Sequence, residues 1–272
     1  MAPKLTIITP SFNQAAFIER TLESVLSQGY DNLEYLVVDG GSTDGSVDII
    51  KRYSDRLAWW VSEPDRGQTD ALNKGLRRAT GDVVAYINSD DYYLPGAFEA
   101  AIAALDRSSR MWVVGTARFE DAAGRPTGRW EPHQPRGPRR WWMLDPWGVP
   151  QAATFWRRDC FDMVGLFQED MHYVFDTEFG LRLAYAGHLP EIVDRDLAVR
   201  VEHEDAKSWD NRPFVRETRR FPRLFARQLP VRERLLLPLN RALLAARFYK
   251  LTGAASRAYR RVRPHPPAAG TT

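Results

Sequence analysis

Short apolar runs alternate with amphipathic stretches along the first half of the chain. Lys4–Thr9, Leu33–Val38, Ala58–Val61 and Asp82–Ile87 read as strands, because brief apolar runs bounded by turn residues suit strands buried on both faces. Helical patterns lie between them. From about Ala15 to Gln28, the residues Phe17, Thr21, Ser24, Val25 and Gln28 share one face, and Gly29 follows as a stop signal. A second helix starts near Gly45 with Ser42 or Asp44 as its cap, and a third spans Gln68 to Ala79. A fourth ends near Leu105 with Pro95 in its first turn, where a missing N–H costs little. Strands alternating with single helices predict an α/β fold with a doubly wound, mostly parallel, Rossmann-like sheet.

The pattern changes at Met111. Trp112–Thr116 is strand-like, whereas Asp121–Arg140 is rich in Pro, Gly and Arg and predicts an irregular excursion. Trp141, Trp142 and Trp147 follow, either as a stacking surface for an acceptor or as a plug beneath the loop. A helix is predicted from Asp176 to Gly187. Asp176, Phe179 and Leu183 share its buried face, while Glu178 lies about 200° round from the strip and pairs with Arg182 at i+4. That geometry makes Asp176 the carboxylate to point into a cleft, with a plain N-cap as the competing reading.

Bulk composition adds little until it is divided along the chain. Hydrophobic content of 44% and charge of 27% are those of an ordinary folded protein. The net charge of +3 conceals an acidic body of −10 in residues 1–206, since residues 207–272 hold 16 Lys and Arg against three acids. Three parts are therefore expected: a catalytic domain over 1–206, a basic amphipathic helical extension over 207–263 and a disordered tail over 264–272. The extension could lie on anionic lipid through residues 213–263, pack on the core, or bind nucleic acid. The last is disfavoured because no reading motif accompanies the charge. One cysteine, Cys160, rules out an internal disulfide framework, and no apolar run has the length of a signal peptide or a membrane span. A cytoplasmic protein is expected, with peripheral attachment at the inner face of the plasma membrane as a variant.

Two acidic loops sit where ligands bind in open α/β sheets, beyond strand C-terminal ends. The first is Asp39-Gly40-Gly41-Ser42-Thr43-Asp44-Gly45 and the second Asn88-Ser89-Asp90-Asp91. Adjacent side chains on an extended segment diverge, so one carboxylate of the second loop can reach a metal and the other a ribose. Oxygen ligands alone suit Mn²⁺ or Mg²⁺ held jointly with substrate phosphates. An Asx-type turn with no ligand is the alternative.

Taken in order, these segments closely resemble the family 2 glycosyltransferases of GT-A fold across about residues 4–206. Thr9-Pro10-Ser11-Phe12-Asn13 looks like the family's first nucleotide loop and the Asp39 segment like its second. Glu63-Pro64-Asp65-Arg66-Gly67-Gln68-Thr69-Asp70-Ala71-Leu72-Asn73-Lys74-Gly75 is similar to a segment of one branch, Asn88–Asp91 stands at the D-x-D metal motif, and Asp176–Leu183 resembles the helix bearing the catalytic base. The resemblance implies inverting transfer of a sugar from a nucleotide-diphosphate sugar to a hydroxyl of a glycan or lipid-linked saccharide, in surface polysaccharide synthesis. It implies donor contacts from Thr9, Pro10, Ser11, Asn13, Asp39, Gly41, Asp65, Asn73 and Asp90, and a metal held by Asp91 and His203. Asp176 would be the base, with Gln151, Trp147 and Glu178 towards the acceptor.

Two departures from the family pattern stand out. Gly40 occupies the second of two positions that often carry paired acids, and Phe175 precedes the base where an acid is common. His203 has a surface histidine as its bland reading. A non-catalytic sugar-nucleotide or glycan-binding module on the same fold is the competing function. Nucleotidyl transfer and hydride transfer lack their glycine-rich signatures in this sequence.

Overall fold

The computed structural model describes residues 2–134, 139–142, 149–204, 206–207 and 211–236. Strands β1 (Leu5–Ser11), β2 (Leu33–Asp39), β3 (Trp59–Ser62) and β4 (Val83–Tyr86) alternate with helices α1 (Ile18–Leu26), α2 (Ser46–Arg52) and α3 (Gln68–Arg78). β1 pairs in parallel with β2 and β4, and β2 with β3. Every residue of β1 is buried, as helices covering both faces of a parallel sheet require. The expected α/β layout is what forms here.

The remainder of the sheet runs differently. After β5 (Tyr92–Tyr93) and α4 (Ala97–Arg107) come β6 (Trp112–Asp121), β7 (Pro126–Trp130), α5 (Arg139–Trp142), β8 (Thr154–Arg157), α6 (Asp159–Val164), α7 (Phe175–Tyr185) and β9 (Glu191–Glu202). The sheet order is β3-β2-β1-β4-β8-β6-β9-β5, with β7 beside β6. β8 is antiparallel to both β4 and β6, whereas β9 is parallel to β6. Two apolar layers flank the sheet. One holds Ile18, Leu22, Phe98 and Leu105 from α1 and α4, the other Leu72, Phe161, Phe179 and Leu183 from α3, α6 and α7.

Three expectations change. The excursion after Asp121 begins as a hairpin, because Asp121 Oδ1 accepts the N–H groups of Ala123 and Arg125 and Gly124 supplies a φ of +77° for the turn. Asn88–Asp91 is a turn rather than an extended segment, closed by Asp91 N donating to Asn88 O at 3.1 Å, so strand alternation does not set the directions of Asp90 and Asp91. Helix α7 is buried nearly all round, with Glu178 only 4% exposed. A one-faced helical wheel failed there because the chain beyond residue 207 folds back over it.

That return involves α8 (Asn211–Thr218), α9 (Phe221–Phe225) and α10 (Val231–Leu235). Phe221, Phe225 and Leu229 are buried in the same layer as α7, and Phe225 stacks on Tyr185 at 5.1 Å between ring centroids. The start of the basic extension therefore packs on the core. Its Glu217 carboxylate accepts the N–H groups of His172, Tyr173 and Val174, tying down the approach to α7. Among the described residues, no helix is long and apolar enough to cross a membrane.

Candidate functional site

Strand register brings the polar loops together. Ser11 is level with Asp39, and Asp39 with Ser62, so the loops after β1, β2 and β3 open on one edge beside the turn after β4. They line a cavity of about 480 Å³, walled by Pro10, Ser11, Phe12, Gly40, Asp65 and Ser89. A second cavity of about 290 Å³ adjoins it, with Asp91, Gln151, Asp176, Arg200 and Phe214 on its walls. Gln68, Asn88, Asp90 and Lys207 line both. The two spaces therefore meet at Asp90.

A polar chain crosses this junction. Lys207 Nζ donates to Gln68 Oε1 at 3.1 Å, Gln68 Nε2 to Asn88 Oδ1 at 2.6 Å, and Asn88 Nδ2 to Asp91 Oδ2 at 3.4 Å. Asp91 is 4% exposed and its Oδ1 accepts the Val201 N–H at 3.0 Å. β9 thus reaches back to hold the turn, and it carries His203 to within 3.1 Å of Asp90 Oδ2. Phe17 stacks on the histidine ring at 4.3 Å, so His203, 8% exposed, is buried beside Asp90 rather than on the surface, and it lines neither cavity.

Burial, then the neighbouring charge of Asp90, pushes the Asp91 carboxyl well above the usual carboxylate range. Asp90 and Asp91 crowd one another as hard oxygen ligands that a divalent cation would relieve, while the buried His203 beside Asp90 leaves its Nδ1 without a hydrogen-bond partner. Among the described residues no three such groups converge into a complete cage. This donor set fits an ion that takes its remaining ligands from a substrate.

Asp176 stands in the first turn of α7 and faces the smaller cavity. Burial pushes its carboxyl up to about 6, against the hydrogen bond from Thr177 N at 2.6 Å, which lowers it. Burial also pulls the Lys207 ammonium down. A carboxylate poised near neutrality inside a cleft suits a general base.

The expected donor residues divide into those on the wall and those behind it. Pro10, Ser11, Asp65 and Asp90 line the cavities. Thr9 is fully buried with its hydroxyl 2.9 Å from that of Tyr35, and Asn73 clamps Phe167 through its N–H and C=O. Asn13, at φ +53°, donates its N–H to Ser42 Oγ and accepts from Thr43 N, locking the first two loops together. Asp39 and Gly41 belong to the same lock, since the Gly41 N–H donates to the Asp39 carboxylate at 3.0 Å.

Towards the acceptor, Gln151 lines the smaller cavity and donates to Tyr86 O at 2.8 Å. Glu178 lines neither cavity. It is paired with Arg182 at 3.0 Å, and Arg182 in turn donates to the carbonyls of Val164 and Leu166, so the pair braces α7. Trp147 lies outside the described residues. Sequence reasoning passed over Gln68, Lys207 and Phe12 as site residues. Gln68 and Phe12 stood inside quoted segments, but the only signal at Lys207 was the charge shift it marks, which read as a boundary.

Comparison with known proteins places these features in context. The sequence model for glycosyl transferase family 2 matches residues 6–172. A Mycobacterium tuberculosis protein described as an uncharacterized glycosyltransferase is 32% identical over 192 residues, covering 67% of this chain and 70% of the relative. A putative teichuronic acid biosynthesis glycosyltransferase of Bacillus subtilis is 41% identical over 92 residues, 33% of this chain and 36% of its own length. Among solved structures, S. aureus TarS in complex with UDP-GlcNAc superposes with a TM-score of 0.65 at 18% identity, covering 83% of this chain and 66% of that one. A mannosyltransferase from Pyrobaculum calidifontis, with GDP-Man and Mn²⁺, gives a TM-score of 0.61 at 23% identity over 98% of this chain and 78% of its own. At these identities the structural likeness establishes a shared fold.

Proposed function

The chain belongs to glycosyltransferase family 2, and from that premise we propose that it moves a sugar from a nucleotide-diphosphate sugar to an acceptor hydroxyl with inversion at the anomeric carbon. The carrying observation is the junction of the two cavities at Asp90, with Asp176 lining the smaller one alone. A nucleoside in the larger space brings its diphosphate to the shared wall and its sugar towards Asp176. There the carboxylate takes the proton of the acceptor hydroxyl as the oxygen bonds to the anomeric carbon and the bond to the diphosphate breaks. Lys207, held by Gln68, offers a positive charge to the departing group. Asp91 and His203 would hold Mn²⁺ or Mg²⁺, which supplies charge neutralisation at the diphosphate, while Asp90 meets the ribose. Single displacement predicts inversion: proton NMR of the product glycoside should show the anomeric configuration opposite to the donor's. Retention would exclude the scheme.

The acceptor we assign to a glycan or lipid-linked saccharide of surface polysaccharide synthesis, and the outer face of α9 and α10 to an anionic membrane. Leu224, Val231 and Leu235 are 45%, 68% and 76% exposed there, among Arg223, Arg227, Arg232 and Arg234. Apolar side chains ringed by arginines suit a lipid interface, each basic residue adding about 1 kcal/mol. The protein is expected to float with vesicles rich in anionic lipid and to be released by salt. Sedimentation apart from such vesicles at low salt would remove the membrane from the account.

A further inference from the structure

The donor reading leaves open what recognises the nucleobase, and the loops after β2 and β3 offer a carboxylate for that task. Asp39 is the obvious acid at the far end of the larger cavity, yet it is fully buried. Its Oδ2 accepts from Gly41 N at 3.0 Å, Ser42 N at 2.9 Å and Ser62 Oγ at 2.7 Å, and its Oδ1 from Ser42 Oγ at 2.5 Å. Three donors saturate Oδ2 and the fourth ties Oδ1 to the same loop. Asp39 holds the loop and, lining neither cavity, presents no oxygen to a ligand there.

Asp65, from the loop after β3, lines the cavity beside Gly40. A Cβ on Gly40 would stand 2.6 Å from Asp65 Oδ2 and 3.1 Å from its Cγ. Gly40 has an ordinary φ, so the glycine is there for room, and the room is taken by this carboxylate. Asp65 Oδ1 accepts the Gly67 N–H at 2.7 Å, which fixes the side chain at the start of α3. Oδ2 has no such protein donor among the described hydrogen bonds, and Asp65 and Gly40 line the cavity side by side. Phe12, 59% exposed, lines the same space and offers a ring face.

Resting on the donor reading above, we propose that Asp65 is the nucleobase-specificity residue, its carboxylate accepting a ring N–H from a base stacked on Phe12. The class selected is a base whose pairing edge carries a ring N–H, as in uracil, thymine or guanine. Cytosine and adenine present a bare ring nitrogen at that position, and two acceptors facing each other repel. Gly40 is the second half of the device, since any side chain there displaces the carboxylate.

The test is calorimetric titration of the full chain, in the presence of Mn²⁺ or Mg²⁺, with UDP, GDP, CDP and ADP. Wild-type protein should favour UDP or GDP over CDP and ADP by about 10–100-fold, the range for a hydrogen bond to a charged group. Asp65→Asn keeps the Oδ1 acceptor for Gly67 but turns the free oxygen into a donor. It should lose about that factor for the favoured nucleotide and hold or improve CDP. Gly40→Ala, which leaves Asp65 in place chemically, should cause a similar loss of preference. Both variants ranking the four nucleotides as the wild type does would overturn the proposal, whether overall affinity is kept or uniformly reduced. Failure of the donor reading is distinguishable, because wild-type protein would then bind none of the four.

Discussion

Asp176→Asn is expected to cut turnover by about 10²–10⁴-fold while leaving nucleoside diphosphate affinity nearly unchanged. The substitution keeps the oxygen that accepts from Thr177 N and removes only the capacity to take a proton. Asp176 lines the smaller cavity and not the larger, so a nucleotide bound in the larger one should not sense it. The pH profile follows from its pushed-up carboxyl near 6: a base must be deprotonated, so wild-type turnover should rise with pH and level off above about 6. Stability should move the other way. A carboxyl raised above its unfolded value favours the folded state when protonated, and that contribution fades as pH rises through the folded value. At pH 8 the asparagine variant, which carries no buried charge, should therefore be more stable than the wild type by about 1–3 kcal/mol, read from thermal or denaturant unfolding. A variant that loses both activity and stability would mark Asp176 as structural.

Asp91→Asn is expected to lower kcat/KM by about 10³-fold and to abolish the dependence of nucleotide affinity on divalent ions. Asparagine preserves an acceptor for the Val201 N–H that links the turn to β9, which keeps the fold test separate from the function test. What it removes is one of two crowded negative charges. Without that charge His203 alone remains of the proposed ligand pair, a poor site for a hard cation. Titration of Mn²⁺ into each protein at fixed nucleotide concentration reads the difference. Equal stimulation of both proteins would place the ion elsewhere.

How far the sequence carried this account depends on where local pattern decided the structure. The parallel half was legible because β1, β2 and β4 are covered on both faces, leaving continuous apolar runs. The return of β8, β9 and the C-terminal helices was not, since each is placed by partners far along the chain. Glu178 shows the cost: helical spacing put it away from the core, yet α6 and the residues beyond 207 close over that side and bury it. Lys207 was missed for the same reason, whereas His203, named from the family resemblance, is brought beside Asp90 by the end of β9. Gly40 is the reverse case, in which an apparent gap in a motif is filled by Asp65 from another loop. Spacing alone cannot report that contact.

The most direct test of the central claim is nucleoside diphosphate release from a panel of sugar nucleotides by the wild-type protein, with Mn²⁺ or Mg²⁺ and after chelation. The account predicts that at least one donor, from the class whose base carries a ring N–H, is turned over with the ion and that chelation stops the reaction. Binding of donors with no release under any condition would contradict it and favour a sugar-nucleotide-binding module on the same fold.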